Sequence, residues 1–234
     1  YGLTGFGGRG SKLLGHTYDV GGAELGTAAE FASATQNLVT NGSIEDGYDG
    51  MDHALNYSLN PNHATNIILV TDEDRDRRNT TIDFDSILGS FTSQNALLNA
   101  VVNCRFVDSN GNQALGIDSQ GNAYVADGNG GFSSSTGGTA SQRCAGSTNT
   151  DYVSLAIATG GAAWDLNLLR AGGNTSVSFT SAFVDIKVSE IINQQPNDPT
   201  APTAPPVAVS EPGTLALFGL GLIGLGLSRR RKLV

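Results

Sequence analysis

The chain has 234 residues, which is enough for one α/β domain of ordinary size with appended segments. It carries 22 acidic and 13 basic residues, with a pI near 4.6. Four of the basic residues lie together at the C-terminus, so residues 1–192 hold only nine basic side chains against twenty acidic ones. This acidic body argues against a nucleic-acid-binding protein and is compatible with cation binding or an extracellular location.

Two short strands and two helices are predicted in the first sixty residues. Residues 1–6 alternate in polarity, and residues 13–18 can return beside them as a hairpin. Residues 24–38 have the apolar spacing of an amphipathic helix. A second helix is predicted over residues 44–59, where apolar residues recur every three or four positions and Ser43 is suited to be the N-cap.

The most informative stretch is NIILVTDEDRD, residues 66–76. Its four consecutive apolar residues, 67–70, predict a strand that is buried on both faces, as in the centre of a parallel sheet. Asp72 stands at the carboxyl end of this strand, where open α/β sheets place their ligands, and three more acidic residues follow it. The alternative interpretation is a solvated turn between a strand and a helix that is simply acidic.

The second half of the chain continues to alternate helices and strands. The turn signals DSNGN at 108–112 and DSQGN at 118–122 predict that residues 97–126 form a three-stranded meander, beginning with one long strand over 97–107. Residues 128–149 are rich in Gly, Ser and Thr and are predicted to be an exposed loop. The other predicted elements are helices near 84–91, 152–159 and 179–186 and a strand at 162–166. This order predicts a layered α/β domain that ends near residue 192.

The two cysteines, Cys104 and Cys144, are too few and too far apart in sequence for a zinc cluster. In an oxidising compartment they would most simply pair, and the closed loop would contribute about 3 to 4 kcal/mol in the chain-entropy model. Two unrelated free thiols are the alternative.

The C-terminal forty residues differ in composition from the rest. Six of the seven prolines lie between positions 196 and 212, which predicts a spacer over residues 193–209. Residues 213–227 then form a charge-free apolar run, shorter than the ~20 residues of a typical transmembrane helix. The basic cluster at 229–232 would hold the far end of such a span in the cytoplasm. A buried core helix is the alternative for the apolar run.

Residues 210–234 closely resemble the PEP-CTERM sorting signal of bacteria that export matrix polymers. The resemblance is carried by Ser210-Glu211-Pro212, the apolar run and the basic cluster in that order, with Ser210 where the first proline usually stands. It implies export and transient anchoring in the inner membrane through residues 213–227, with the C-terminus cytoplasmic. It also implies cleavage by an exosortase near Glu211 and Pro212, which would leave the protein at the cell surface or outside the cell.

Residues 1–192 resemble a von Willebrand factor type A domain. The match rests on four segments, which are YGLTGF at 1–6, NGSIEDGYDGMDHAL at 41–55, NIILVTDEDRD at 66–76 and LAIATGGAAWDL at 155–166. The resemblance implies a three-layer α/β fold with a doubly wound, mostly parallel, Rossmann-like sheet. The β-meander would be an insertion in this fold, and the C-terminal hydrophobic helix would follow it.

In that family a metal-ion-dependent adhesion site is built from a DxSxS loop, a threonine loop and an aspartate loop. Asp72 matches the aspartate, and Ser43 stands where the threonine would be. The implied cofactor is Mg²⁺, or Mn²⁺ or Ca²⁺. The chain contains no DxSxS motif, so that motif, with the first strand and helix, is expected upstream of Tyr1, and the domain is expected to be N-terminally truncated.

These observations favour a non-enzymatic adhesion protein that binds a protein or exopolysaccharide of the matrix through a divalent cation. Exosortase and the inner membrane are the other expected partners, and no nucleic acid is expected. The alternative is a structural matrix component without a ligand or metal. An enzyme is disfavoured because the chain lacks GxSxG and HExxH motifs, and its three histidines have no nucleophile motif around them.

Overall fold

The computed structural model describes residues 1–39 and 42–194. The predicted spacer, sorting signal and membrane span therefore lie outside the described residues. Where the sequence predicts one domain over residues 1–192, the structure groups the chain in two compact units. The N-terminal unit contains Tyr1–Asn60 and Asp76–Ile87, and the sheet unit contains Pro61–Arg75 and residues 88–194. Within the described ranges, no helix is long and apolar enough to cross a membrane.

The N-terminal unit begins with the predicted hairpin. Strands β1 (Leu3–Gly5) and β2 (His16–Tyr18) are antiparallel, with Leu3 opposite Tyr18. Helix α1 (Ala28–Ala34) is shorter than the predicted helix, because its start is set by a capping box in which Thr27 and Glu30 satisfy each other's backbone N–H groups.

Helix α2 (Gly47–Leu55) buries Tyr48, Met51 and Leu55, which confirms the middle of the predicted apolar face. The helix is shorter than the predicted range of 44–59. The prediction that Ser43 is its N-cap is wrong, because the N-cap is Asp46 and Ser43 lies in an exposed bend before it. Asp46 is buried and its carboxylate accepts the backbone N–H of Asn79 at 2.8 Å. A hydrogen bond to a residue 33 positions away in the chain therefore determines where this helix begins.

The sheet unit contains nine strands within the described residues, arranged in two sheets. In chain order the remaining elements are β3 (Thr65–Thr71), α3 (Phe84–Ser93), β4 (Ala96–Val102), β5 (Cys104–Val107), β6 (Gln113–Ala114), β7 (Gly116–Asp118), β8 (Asn122–Ala126), β9 (Phe132–Thr136), β10 (Thr139–Cys144), α4 (Ser154–Ala158), β11 (Ala162–Asp165), α5 (Leu166–Arg170) and α6 (Gly173–Asn193). Residues of α3 belong to both units. The first turn of α4 is preceded by a π-helical turn over Asn149–Val153.

The larger sheet has six strands in the order β3-β4-β11-β7-β8-β9. The first three strands are parallel to one another, and the last three continue the sheet in antiparallel pairs. The smaller sheet, in the order β10-β5-β6, is antiparallel. The predicted α/β class is therefore confirmed, and the larger sheet is mixed, with three parallel strands where the sequence predicts a mostly parallel sheet.

Strand β3 is an edge strand, so its predicted central position is wrong. Within the described residues it pairs only with β4, and Val70 on its solvent side is 37% exposed. The centre is formed by β4 and β11, where Ala162, Ala163 and Trp164 are fully buried. An apolar run reports burial of the two faces of a strand but does not specify which strands lie beside it.

Two predictions about residues 97–149 are corrected. The expected long strand over 97–107 breaks at Asn103, so β4 and β5 belong to different sheets and the predicted meander is divided between them. The segment 128–149 is not a loop, since it contains β9 and β10. Strand β9 pairs with β8 in continuous register and is polar because it forms an edge with exposed side chains.

Cys104 and Cys144 are joined in a disulfide and stand opposite each other in the pairing of β5 with β10. The structure thus has no free cysteine in its described part, and the alternative of two unrelated thiols does not apply to it. The bond closes a loop in which the cysteines are 40 residues apart, and it ties β10 to the residue that follows Asn103.

Candidate functional site

The strongest candidate site is a group of polar side chains at the carboxyl ends of the three parallel strands. Asp72 follows β3, Asn103 follows β4, and Asp165, Asn167 and Arg170 lie at the end of β11 and in α5. We call these five residues the carboxyl-edge cluster. Because the carboxyl ends of parallel strands meet at one edge of a sheet, this is where open α/β folds place their ligands.

Asp72 is held by an ion pair across this edge. The Nη1 atom of Arg170 donates to its Oδ2 atom at 3.2 Å, and both side chains are about one-quarter to one-third exposed, at 26% and 35%. The main-chain oxygen of Asp72 accepts from Nδ2 of Asn103 at 3.2 Å, and Oδ1 of Asn103 accepts from Nδ2 of Asn167 at 2.9 Å. A chain of hydrogen bonds therefore links the ends of all three parallel strands.

Asp165 is the buried member of the cluster. It is the N-cap of α5, and its Oδ1 atom accepts the backbone N–H of Asn167 at 2.9 Å. Burial of its carboxyl group raises its pKa, although the hydrogen bonds from Asn167 and Gln113 oppose this shift. The charged form of Asp165 is thus less favourable in the folded chain than in water.

The Asp165→Asn variant is expected to be more stable than the wild type near pH 7, because asparagine keeps the N-cap acceptor and carries no charge. Asp165 has a higher pKa in the folded chain than in the unfolded chain, where its pKa is about 3.8. The wild type therefore loses stability as the pH rises from about 3.8 through the folded-state pKa, because the buried carboxyl group becomes charged. The advantage of the variant should therefore shrink toward pH 4. Urea denaturation at pH 4, 5.5 and 7 measures it, with the exposed Asp85→Asn as control.

Two other carboxylates of the acidic stretch, those of Asp74 and Asp76, accept hydrogen bonds from backbone N–H groups. The Oδ2 atom of Asp74 accepts the N–H of Ser147 at 3.0 Å in the sheet unit. In the N-terminal unit, Asp76 accepts the N–H of Glu45 at 2.6 Å and returns its own N–H to the Glu45 carbonyl at 3.0 Å. The acidic stretch therefore stabilises loops through these hydrogen bonds as well as contributing negative charge.

The two predicted metal ligands lie in different units. Asp72 belongs to the sheet unit and is paired with Arg170, whereas Ser43 is exposed in the N-terminal unit. Their joint coordination of a cation stays a prediction. Within residues 1–39 and 42–194, no group of three or more His, Cys, Asp or Glu side chains has the arrangement to hold a metal ion.

Sequence reasoning did not single out Asn103, Asn167 or Arg170. Asn167 directly follows the predicted strand over 162–166, so the rule that selected Asp72 could also have selected it. Asn103 lies inside the predicted strand over 97–107, and only the observed break after β4 places it at a strand end. Arg170 is different, because it lies 98 residues from Asp72 and no local pattern relates the two.

Comparison with known protein families finds the PEP-CTERM protein-sorting motif at residues 208–232. The match contains Ser210, Glu211 and Pro212 and confirms the predicted sorting signal. The motif implies an exported protein with a C-terminal membrane-anchored signal that an exosortase processes. No family match supports the expected von Willebrand factor type A domain. No curated protein and no solved structure matches the chain.

Proposed function

We propose that this chain is an exosortase-processed protein of the cell surface or extracellular matrix, with a structural role and no enzymatic activity on other molecules. The observation that carries the proposal is the sorting motif at residues 208–232, which follows the two described units in the chain. Disulfides persist outside the reducing cytoplasm, so the Cys104–Cys144 disulfide is suited to the folded part of an exported protein.

The contacts of Asp72 favour the structural role over a metal-dependent one. Its carboxylate is already neutralised by the Arg170 guanidinium, which also positions α5 against the end of β3. A divalent cation bound at Asp72 would have to displace this guanidinium or lie close to its positive charge. The Asp72–Arg170 ion pair thus stabilises the arrangement of β3 and α5 at the carboxyl edge of the sheet.

Cation-dependent adhesion is the second candidate function. It is favoured by the location of Asp72 at the carboxyl edge, next to the amides of Asn103 and Asn167, since carboxylate and amide oxygens are ligands of hard cations. Mg²⁺, Mn²⁺ or Ca²⁺ would bind at Asp72, and an acidic group of a matrix protein or exopolysaccharide would complete the coordination.

Calorimetric titration of Mg²⁺, Mn²⁺ and Ca²⁺ into the full chain distinguishes the two functions. A structural role predicts no cation binding that depends on Asp72, so the wild type and Asp72→Asn should behave alike. The adhesion role predicts that Asp72→Asn abolishes binding. It also predicts that Arg170→Gln strengthens binding about tenfold, because one competing positive charge is removed.

The control for this titration is Asp85→Asn, which removes an exposed carboxylate of α3 outside the cluster. Micromolar binding that is lost in Asp72→Asn and retained in Asp85→Asn would overturn the structural proposal in favour of adhesion.

A further inference from the structure

A second polar group lies inside the sheet unit, away from the carboxyl-edge cluster. It consists of Asn66 on β3, Asn99 on β4, and Lys187 and Glu190 on α6. Lys187 is only 4% exposed and Asn99 is fully buried. A lysine at such a depth is unusual, because burial of an ammonium group is costly unless it is paired. We call these four residues the lysine network.

The contacts in this network bring an amine, an amide and a carboxylate together. The Nζ atom of Lys187 donates to Oδ1 of Asn66 at 3.0 Å and also contacts Oε2 of Glu190. The same Oε2 atom accepts from Nδ2 of Asn66 at 3.2 Å. Glu190 therefore touches both the amine and the nitrogen of the amide that the amine approaches.

We propose that Lys187 and Asn66 form an intramolecular isopeptide bond, with Glu190 as the catalytic proton carrier. The neutral Nζ atom attacks Cγ of Asn66, and a new Nζ–Cγ bond forms. Glu190 takes a proton from the attacking nitrogen and delivers it to Nδ2, the Cγ–Nδ2 bond breaks, and ammonia leaves. The product is a secondary amide between the two side chains, and no oxidant or other reactant is required.

The geometry places the reacting atoms close together. Because a carbonyl bond is about 1.23 Å long, the Cγ atom of Asn66 lies within about 4.2 Å of the Lys187 Nζ atom. An intramolecular reaction between groups held at this separation has a large entropic advantage over the same reaction in solution. Burial also limits the access of water, which would compete as a nucleophile and give aspartate instead.

The environment also favours the reactive form of the amine. Burial lowers the pKa of Lys187 to about 8, although the charge and hydrogen bond of Glu190 oppose this shift. At pH 7 roughly a tenth of an amine with that pKa is unprotonated, far more than for an exposed lysine. The nucleophilic form is therefore accessible at neutral pH.

Asn66 supplies the amide that the lysine attacks, and Asn99 holds Glu190 in position. The Oδ1 atom of Asn99 accepts from Nε1 of Trp164 at 2.9 Å, and its Nδ2 atom donates to Glu190 at 2.9 Å. Both ends of the Asn99 amide are thus engaged, and its Nδ2 atom orients the Glu190 carboxylate toward Lys187 and Asn66.

The bond would connect the edge strand β3 to the helix that precedes the C-terminal spacer. Gln194, the residue after α6, already donates to the main-chain oxygen of Thr65 at the start of β3, at 2.9 Å. A covalent link from Lys187 to Asn66 would carry tension from a C-terminal attachment directly into the larger sheet. This consequence suits a surface protein, but the chemistry itself does not depend on the proposed function.

Intact mass spectrometry of the reduced, denatured full chain tests the proposal. Loss of ammonia should make the wild-type chain about 17 Da lighter than its sequence mass. Tryptic digestion should yield a branched product in which residues 13–75, which end at Arg75, are joined to the peptide that begins at residue 171. Trypsin should not cleave after Lys187. A wild-type chain of full sequence mass, cleaved at Lys187, would overturn the proposal whether or not any variant folds.

Three variants test the assigned roles. Lys187→Arg and Glu190→Gln should each have the full sequence mass, whereas the exposed neighbour Ser189→Ala should retain the 17 Da loss. Circular dichroism verifies that each variant is folded. A folded Glu190→Gln chain that still loses ammonia would show that Glu190 is not the proton carrier and would overturn its catalytic role.

Discussion

Replacing Trp164 with alanine is expected to lower the free energy of unfolding by about 3 to 5 kcal/mol. Trp164 is fully buried in the central strand β11, and its ring stacks on Tyr124 with centroids 5.6 Å apart. The rings of Phe183 and Phe179 on α6 meet it edge-on at 5.2 and 5.8 Å. Since domains of this size are stable by only about 5 to 15 kcal/mol, the loss is a large fraction of the total. Urea denaturation followed by circular dichroism measures it.

The residues around Trp164 cannot easily move into the space that its ring would leave. A Cβ atom on Gly116 would lie 2.5 Å from the Trp164 ring, so the backbone of β7 already touches it. The substitution also removes the donor to the buried Oδ1 atom of Asn99.

The control for the Trp164 substitution is Val177→Ala, at a position of α6 that is 52% exposed. Its expected change in stability is within about 0.5 kcal/mol. Equal effects of the two substitutions would contradict the central position of β11.

Substitution of Glu211 and Pro212, the proposed exosortase recognition residues, is expected to change the processing and location of the whole protein. In a chain that carries Glu211→Ala and Pro212→Ala, cleavage should fall from most of the protein to a minor fraction, because a receptor-read sorting motif depends on its own short sequence. The uncleaved chain should accumulate in the inner membrane. Cell fractionation with an antibody against the folded body, in cells with and without exosortase, measures both effects.

The matched control is Pro202→Ala, which changes a proline of the spacer outside the matched residues 208–232. It should be processed like the wild type. Normal processing of the doubly substituted chain, or equal processing in cells without exosortase, would contradict the assignment of the cleavage site or of the protease. Neither outcome depends on whether the lysine network forms its bond.

Many elements of the fold were predictable from local patterns. The apolar spacing of Tyr48, Met51 and Leu55 identified α2, and the turn signals that begin at Asp108 and Asp118 identified two hairpins. In these cases a short stretch of chain contains the whole signal, because each side chain is related to the next by the period of one helix or by one tight turn.

The order of the strands was not predictable in this way. Strand β3 has the composition of a central strand but forms an edge, and the polar β9 belongs to the same sheet. Strand order depends on which backbones pair, and backbone hydrogen bonds carry no residue-specific code. The N-cap of α2 moved from Ser43 to Asp46 for a similar reason, since the contact with Asn79 is tertiary.

The candidate sites show the same division between local sequence signals and tertiary contacts. The sequence by itself determined the sorting signal at residues 208–232, because an enzyme reads that segment as a linear motif. It also determined the acidic character of the body and the location of Asp72 at the end of a strand. Only the tertiary structure decided that Asp72 pairs with Arg170, and that Lys187 reaches Asn66 from 121 residues away. Those contacts arise when separate elements pack against one sheet, and packing between distant segments leaves no period or spacing in the chain.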